Sequence, residues 1–417
     1  MWELKGLNVL VLAGWATVLL WLLIALRTWL GLARQKPLLS PGDGGPLTGT
    51  VAPLVSVLVP ARNEEGRILQ SCIRSILAQD YGSFEVVAVN DRSTDGTGAI
   101  LHAVARADQR LRVIDGAEPP AGWLGKPHAL QQGLDAAAGE WVLATDADMV
   151  FGQTALRAAV GHALSGGFDA VTLIPHIHCL SFWERVFIPA FSWFIVMVMP
   201  VERVNDAARP EAVGIGGFFL IRRAALDRVG GYRSVRAEVA EDLRMAEILK
   251  GSGARLRLEY APDLISTRMQ TNFREIWEGF TKNLFAGAKF SLLQSAAASL
   301  AVIVFAIAPV FVAAASAVAL AAGGGSEYLR LFAPMLAVWL VQVCTFAAVN
   351  RRARVPVAYA LTVPLGHALF IAILLNSAVR IATGRGVTWK GRSLYQRAGV
   401  RPPRARNQTP DLPVADD

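Results

Sequence analysis

Leu54-Val-Ser-Val-Leu-Val-Pro60, followed by Ala-Arg-Asn-Glu64, is the stretch that decides the fold. Its first seven residues form a short valine-rich apolar run, the composition of a buried strand, and Pro60 closes it. Residues 64–79 then place Ile68, Cys72, Ile73 and Ile76 at helical spacing. The alternation continues outward. Phe84-Glu-Val-Val-Ala-Val-Asn90 reads as a second strand, residues 97–107 as a helix and residues 111–114 as a strand. Residues 126–138 are helical again, and residues 141–145 and 170–174 are further strands. Strands alternating with helices predict an α/β domain with a mostly parallel sheet covered on both faces. Ligands of such sheets bind beyond the carboxyl ends of the strands. The polar clusters at 60–64, 90–95 and 146–148 all follow strands.

Asp146-Ala-Asp148 is the most informative of these clusters. Two carboxylates at i and i+2 after a strand suit a divalent ion, which takes oxygen ligands and can bridge a diphosphate. A polar strand cap is the plain alternative. Asp91 and Asp95, after an earlier strand, give the metal reading more weight. Neither a Walker A loop nor a GxGxxG is present, so P-loop NTPase and Rossmann oxidoreductase readings lack their phosphate loops.

The rest of the chain points to a membrane. Of 417 residues, 53% are hydrophobic and 18% charged, and the mean hydropathy is +0.39. An ordinary soluble domain has about 25% charged residues. Residues 7–30 are nearly all apolar, long enough to cross a bilayer and too long for the core of a signal peptide. Arg27, Arg34 and Lys36 follow, which puts that side in the cytoplasm. Three more apolar spans lie at about 293–320, 332–349 and 355–379. The net charge of +8 fits positive loops beside such spans, and no nucleic-acid partner is expected. Cys72, Cys179 and Cys344, without a C-x-x-C, read as small buried apolar residues.

These features divide the chain into an anchor at 1–35, a linker at 36–53, an α/β domain at 54–268 and an amphipathic interfacial helix at 269–291. Membrane helices at 292–379 and a basic, partly disordered tail at 380–417 complete it. One conflict stays open. Three crossings after a cytoplasmic domain put the tail outside, whereas Arg380, Arg385, Lys390, Arg392 and Arg397 put it inside. A re-entrant span, broken at Pro309 or at Pro364 and Gly366, would resolve it.

The sequence resembles family 2 glycosyltransferases of the GT-A fold over roughly residues 51–289. The residues that carry the resemblance are Val59-Pro-Ala-Arg-Asn-Glu64, Asn90-Asp-Arg-Ser-Thr-Asp-Gly-Thr97, Asp146-Ala-Asp148, Gly216-Gly217 and Glu241-Asp242. It is similar to a membrane-bound branch acting on lipids, with carotenoid-acid, hopanoid-associated and ceramide glycosyltransferases. Gly122-Trp-Leu-Gly-Lys-Pro-His-Ala-Leu130, Trp277-Glu-Gly-Phe-Thr-Lys-Asn283 and Trp389-Lys-Gly-Arg392 resemble stretches of the first two groups.

The resemblance implies inverting transfer of one sugar from a nucleotide sugar, UDP-linked, to a membrane lipid at the cytoplasmic leaflet, with Mg²⁺ or Mn²⁺. It assigns the base to Asp91, ribose or metal to Asp146, metal to Asp148 and the general base to Asp242. Pro60, Arg62, Glu64 and Lys126 fall on the donor side; Gly216, Gly217, Glu241 and Trp277 fall on the acceptor side. The chain departs from the family pattern in three places. Asn90 stands where a second acid is usual, Arg92 where a glycine is, and the Q-x-x-R-W of processive synthases is missing. Two alternatives stay open: a polyprenyl-phosphate glycosyltransferase, and an inactive GT-A domain serving as a lipid-binding or transport partner.

His128, on the helix after Lys126, reads equally as a core or a surface histidine. His176 and His178 share one strand face, where satisfied polar histidines are the first reading and a third metal ligand or acceptor contact the second. Residues 182–199, aromatic and holding Pro189, read as an interfacial or acceptor-lining helix. Residues 273–289 repeat apolar positions at helical spacing with Arg274, Lys282 and Lys289 between them.

Overall fold

The computed structural model of the protein describes residues 2–38 and 52–395. Most of the expected linker, Arg397 and the tail from Arg401 lie outside the described residues. The chain forms two compact units. One holds residues up to 35, 179–198 and 270–379; the other holds 36–178, 199–269 and the chain from 380 onward.

Among the described residues, the second unit is built on twelve short strands. They are β1 (Val55–Ala61), β2 (Phe84–Asn90), β3 (Leu111–Asp115), β4 (Trp141–Ala144), β5 (Met149–Phe151) and β6 (Ala170–Ile174). Then come β7 (His176–Ile177), β8 (Phe219–Arg222), β9 (Leu256–Tyr260), β10 (Ile265–Thr267), β11 (Val387–Trp389) and β12 (Arg392–Leu394). The main sheet has seven strands in the order β3-β2-β1-β4-β8-β6-β9. Its pairs are parallel except where β8 runs antiparallel to β4 and β6. The expected α/β class and mostly parallel sheet are therefore present; the antiparallel strand was not foreseen. Val55, Val57, Val59, Trp141, Leu143 and Leu220 are fully buried, as strands covered on both faces require.

Pro60 sits inside β1 without breaking it. Even-numbered residues of β1 face β4, whose ladder ends at Leu58–Ala144, so the missing N–H of Pro60 falls beyond the last bond. The helix expected at 64–79 forms only over Leu69–Leu77. Gly66 is left-handed at φ 75° and Arg67 N donates to Glu64 O, so residues 64–68 are spent on turns.

Among the described residues, four helices are long and apolar enough to cross a membrane, all of them wholly or mostly in the first unit: Leu7–Arg34, Leu292–Ala321, Ser326–Arg352 and Val357–Ala382. The second contains a π turn, Ile303–Ile307, just before Pro309. Proline lacks the N–H that would bond the carbonyl of Phe305, four residues back. Trp21 Nε1 donates to that carbonyl at 2.7 Å, and Gln342 Nε2 donates to Ala306 O at 3.1 Å. Trp21 also stacks on Trp193, whose Nε1 donates to Thr28 Oγ1. Trp193 lies on the helix Phe182–Val198, which continues through Pro189. Phe187 and Phe191 from that helix meet Phe280 edge-on at 4.7 and 4.5 Å. Phe280 belongs to the helix Phe273–Gly287, which buries Ile276, Phe280, Leu284 and Phe285 and exposes Arg274. Cys72 and Cys179 are buried as expected. Cys344 is exposed on the outside of an apolar helix, where a small apolar residue needs no protein neighbour.

Candidate active site

The carboxyl ends of β1, β2 and β4 carry the acidic and basic residues expected at a donor site. The loop after β2 is held tightly. Arg62 Nη1 donates to the carbonyls of Asp91 and Arg92 at 2.8 and 2.7 Å. Asn90 Nδ2 donates to Asp115 Oδ1 at 2.9 Å, so an acid here would face another carboxylate. Its amide is a working donor in the place of the usual acid. Asp95 accepts from the backbone N–H groups of Glu65 and Thr97, which makes it a turn residue. Arg92 is left-handed at φ 52°, which accounts for the glycine usual at that position. Its guanidinium bonds Asp91 Oδ1 and Glu118, which offsets the backbone cost.

The second cluster gathers around Gly216. Lys126, in the first turn of the helix Gly125–Ala136, places Nζ 2.7 Å from Asp146 Oδ1 and 2.6 Å from Glu241 Oε1. Glu241 and Asp242 open the helix Glu241–Gly251. Asp242 Oδ2 accepts from Gly216 N at 2.7 Å, and its Oδ1 accepts from Leu243 N at 2.8 Å. A Cβ on Gly216 would lie 3.0 Å from Lys126 Nζ and 3.1 Å from an oxygen of both Asp146 and Asp242. The backbone thus runs through a tight polar cradle, where even a methyl group would press on three charged side chains. Gly217 is pinned beside it: Thr145 Oγ1 donates to its carbonyl, and a Cβ would strike Met149 Sδ. A small pocket is lined by Lys126, Gly216, Tyr232, Glu241 and Asp242.

The electrostatics follow from burial. Burial alone would lower the Lys126 ammonium, but Asp146, Glu241 and Asp242 hold it well above its ordinary value. Burial raises Glu241, and Lys126 opposes the rise. Asp148 is pushed up to about 7, first by burial and then by the charges of Asp146 and Glu64. Among the described residues no three His, Cys, Asp or Glu side chains surround one metal point. Asp146 and Asp148 still fit a divalent cation of the Mg²⁺ type, which binds one or two carboxylates and takes its other ligands from phosphate and water. Their mutual repulsion is what such a cation relieves.

The structure therefore gathers Lys126, Asp146, Gly216, Gly217, Glu241 and Asp242 in one cluster, and Arg62, Glu64 and Asp91 in the neighbouring loops. Trp277 belongs to the other unit, where its ring lies 5.9 Å from that of Phe273. His176 and His178 meet edge to face at 4.6 Å, His176 being buried. His128 packs edge-on against Trp123 and shares Nδ1 with Gln132.

Two residues were missed. Lys390 Nζ bonds Glu64 Oε1 and donates to Arg62 O at 2.9 Å. Arg392 Nη1 donates to Asp91 Oδ2 at 2.7 Å, and its Nη2 reaches Asp91 Oδ1 and O at 3.3 Å. In the sequence their charge read only as a cue to the side of the tail. The Trp-Lys-Gly-Arg stretch was the available signal.

Residues 56–230, which hold Arg62, Glu64, Asp91, Lys126, Asp146 and Gly216, match Glycosyl transferase family 2. The relatives by sequence include the 4,4'-diaponeurosporenoate glycosyltransferases of Staphylococcus aureus. The protein of strain MRSA252 is 27% identical over 237 residues, covering 56% of this chain and 61% of the relative. That of strain USA300 is 26% identical over 238 residues, with the same coverage. The match thus spans about three fifths of the length of these relatives. Among solved structures, a mannosyltransferase from Pyrobaculum calidifontis in complex with GDP-Man and Mn²⁺ is 22% identical. It covers 90% of this chain and 98% of that one, with a TM-score of 0.49.

Proposed function

We propose that the protein is a membrane-anchored glycosyltransferase. It moves one sugar, with inversion, from a nucleotide sugar, UDP-linked, to the hydroxyl or carboxylate of a membrane lipid at the cytoplasmic leaflet. The observation that carries this reading is the convergence of Asp146, Asp242 and Lys126 on Gly216. A sugar nucleotide needs a cation near its diphosphate and a carboxylate for the acceptor proton; this cluster supplies the Lys126 ammonium for the first and Asp242 for the second. The name of the relatives, glycosyltransferases of a carotenoid carboxylate, supports an apolar acceptor.

Asp91 takes the base edge, with Arg62 holding the loop that carries it. Asp146 and Asp148 would hold Mg²⁺ or Mn²⁺, which neutralises charge on the leaving diphosphate when bound. Asp242, held by two backbone N–H groups, faces the cradle as general base. The acceptor oxygen attacks the anomeric carbon opposite the phosphate. The carbon–oxygen bond to phosphate breaks, and its electron pair leaves with the nucleoside diphosphate. A hydroxyl acceptor gives its proton to Asp242; a carboxylate acceptor has none to give.

The membrane reading follows from the four apolar helices. The hairpin β11–β12 bonds Glu64 and Asp91, so it lies on the same side of the membrane as the α/β domain. An even number of crossings then separates residue 269 from residue 387. The three later apolar helices therefore do not all cross.

The test incubates membranes holding the protein with labelled UDP-sugars and a lipid extract, with and without EDTA. Labelled lipid that disappears with EDTA is expected. Full activity in EDTA would remove the metal, and no labelled lipid from any nucleotide sugar would remove the reading.

A further inference from the structure

The hairpin β11–β12 is not an idle tail. Trp389 pairs with Arg392 across a two-residue turn, Lys390-Gly391, both with positive φ, 45° and 76°. This is the mirror-image turn that hairpins prefer, and it favours Asn-Gly. A lysine in its first position adopts a backbone region that costs a side-chain-bearing residue free energy. Asn63 and Arg92, in the loops that Lys390 and Arg392 meet, are left-handed as well. Strained residues of this kind gather at ligand sites.

The hairpin is anchored from its far end. Tyr395 is buried, its hydroxyl donating to Ala237 O and accepting from Val239 N, both at 3.1 Å. Val387 is buried too. The anchor leaves Lys390 and Arg392 to point at Glu64 and Asp91. The helix start at Gly125 closes on the second pair: a Cβ there would lie 2.1 Å from Arg392 Nη1 and 2.8 Å from Asp91 Oδ2. A side chain at Gly125 would push the Arg392 guanidinium off Asp91.

Around Asp91 three guanidinium groups, Arg62, Arg92 and Arg392, meet two carboxylates, Asp91 and Glu118. Arg92 and Arg392 both pair with the Asp91 carboxylate, Arg62 bonds the backbone carbonyls of Asp91 and Arg92, and Glu118 lies on the outside of Arg92. The Nε of Arg62 is buried and has no hydrogen-bond partner. Guanidinium groups packed this closely repel one another unless an anion joins them. Lys390 adds a fourth cation beside Glu64, near enough to Asp148 to act on its charge. A nucleoside diphosphate brings the missing negative charge, and planar guanidinium forks match phosphate oxygens.

Resting on the nucleotide-sugar reading above, we propose that Lys390 and Arg392 are donor-binding residues: Lys390 a ligand of the diphosphate, released from Glu64 when the donor enters, and Arg392 the group that fixes Asp91 beneath the nucleoside. The donor pocket is thus completed by a hairpin that follows the last membrane helix.

The test measures binding of UDP, GDP and uridine to the full-length protein in detergent micelles with Mn²⁺, without turnover. For Lys390→Met the dissociation constant of UDP should rise about tenfold to a hundredfold, the weight of a hydrogen bond to a charged group. That of uridine should change less than about twofold, since uridine carries no phosphate for the lysine to bind. Lys390→Arg should recover most of the UDP affinity. Arg392→Gln should weaken UDP and uridine alike, because it acts through Asp91. Tighter UDP binding in Lys390→Met would mean that the hairpin is a plug, and would overturn the proposal. Equal losses for UDP and uridine in Lys390→Met would make the lysine merely structural and overturn it too. If Lys390→Met does not fold, Lys390→Gln and Lys390→Arg carry the comparison, and indistinguishable UDP affinities in those two would refute the charge argument. A wild-type protein that binds neither UDP nor GDP would instead sink the nucleotide-sugar reading itself.

Discussion

Replacing Lys126 with methionine tests the central cluster in a way that separates its two ion pairs. Glu241 is only 3% exposed, while the side chains of Lys126 and Asp146 are 36% and 38% exposed. The Lys126–Asp146 pair is thus half in water and worth about 0–1 kcal/mol. Removing one partner of a fully buried pair costs about 3–5 kcal/mol, because a buried charge is left alone. One end of the Lys126–Glu241 pair is open to solvent, so about 2–3 kcal/mol is the reasonable loss. For a domain of this size that corresponds to a melting point lower by roughly 4–12 °C. The deficit depends on pH with a definite sign. Burial raises the Glu241 carboxyl, and Lys126 opposes the rise. Without the lysine the folded value climbs further above the unfolded value of about 4.3. The protonated form is then the comfortable one. Its stabilisation is complete below the unfolded value and is lost as pH rises through the folded one. Lys126→Met should therefore melt close to wild type near pH 4.5 and fall progressively behind it towards pH 8. Lys126→Met/Glu241→Gln should recover most of the loss and run parallel to wild type. Thermal unfolding in detergent micelles, followed by tryptophan fluorescence at pH 4.5, 6 and 8, gives the comparison. A deficit that does not change with pH, or a double variant no better than the single one, would refute the reasoning.

Other outcomes follow from the same geometry. Because Asp148 is raised to about 7 by burial and by Asp146 and Glu64, Mn²⁺ affinity measured by calorimetry should fall about tenfold per pH unit below 7, as the ligand must lose its proton. A flat profile from pH 6 to pH 8 would exclude Asp148 as a ligand. Asp242→Asn should lower turnover on a hydroxyl acceptor by about 10²–10⁴ while UDP affinity stays near wild type. It should also cost about 1–3 kcal/mol in stability, since both carboxylate oxygens accept backbone N–H groups and an amide turns one contact into donor against donor. Loss of UDP binding together with turnover would move Asp242 out of the base role. A reporter inserted at Gly166, at the end of the helix Ala155–Gly166, should read cytoplasmic; a signal from the other side would reverse the orientation. Mass spectrometry of the product should find one sugar per lipid, and long homopolymers would contradict that.

The sheet was legible because its strands are written twice, in valine-rich composition and in the polar clusters that follow them. Asp146, Asp148, Glu241 and Asp242 stood out in the sequence as acids after a strand or at a helix start, and the structure brings Asp146, Glu241 and Asp242 together around Lys126 and Gly216. Three things were not. The antiparallel strand β8 looks locally like any other apolar run, since direction is set by a long connection and not by composition. The pairing of Lys126 with Glu241 spans 115 positions in sequence, and neither residue signals the other. Lys390 and Arg392 were read as part of a basic tail because charge beside an apolar span carries topological information first. Their partners Glu64 and Asp91 lie more than 300 positions earlier.

That separation also has a consequence in time. A ribosome makes about 5–20 residues per second. By the time residue 269 is made, the α/β domain has all its strands except those of the hairpin. The hairpin emerges 126 residues later, or roughly 6–25 s at that pace. In between, the three later apolar helices are synthesised and must find the bilayer. During this interval the domain has its carboxylates but lacks two of its cations. A nascent chain that stalls before residue 390, or fails to insert, holds an incomplete donor pocket. Under the proposed donor role of Lys390 and Arg392, competence to bind a sugar nucleotide would wait until the hairpin, made after the three later apolar helices, has folded onto Glu64 and Asp91.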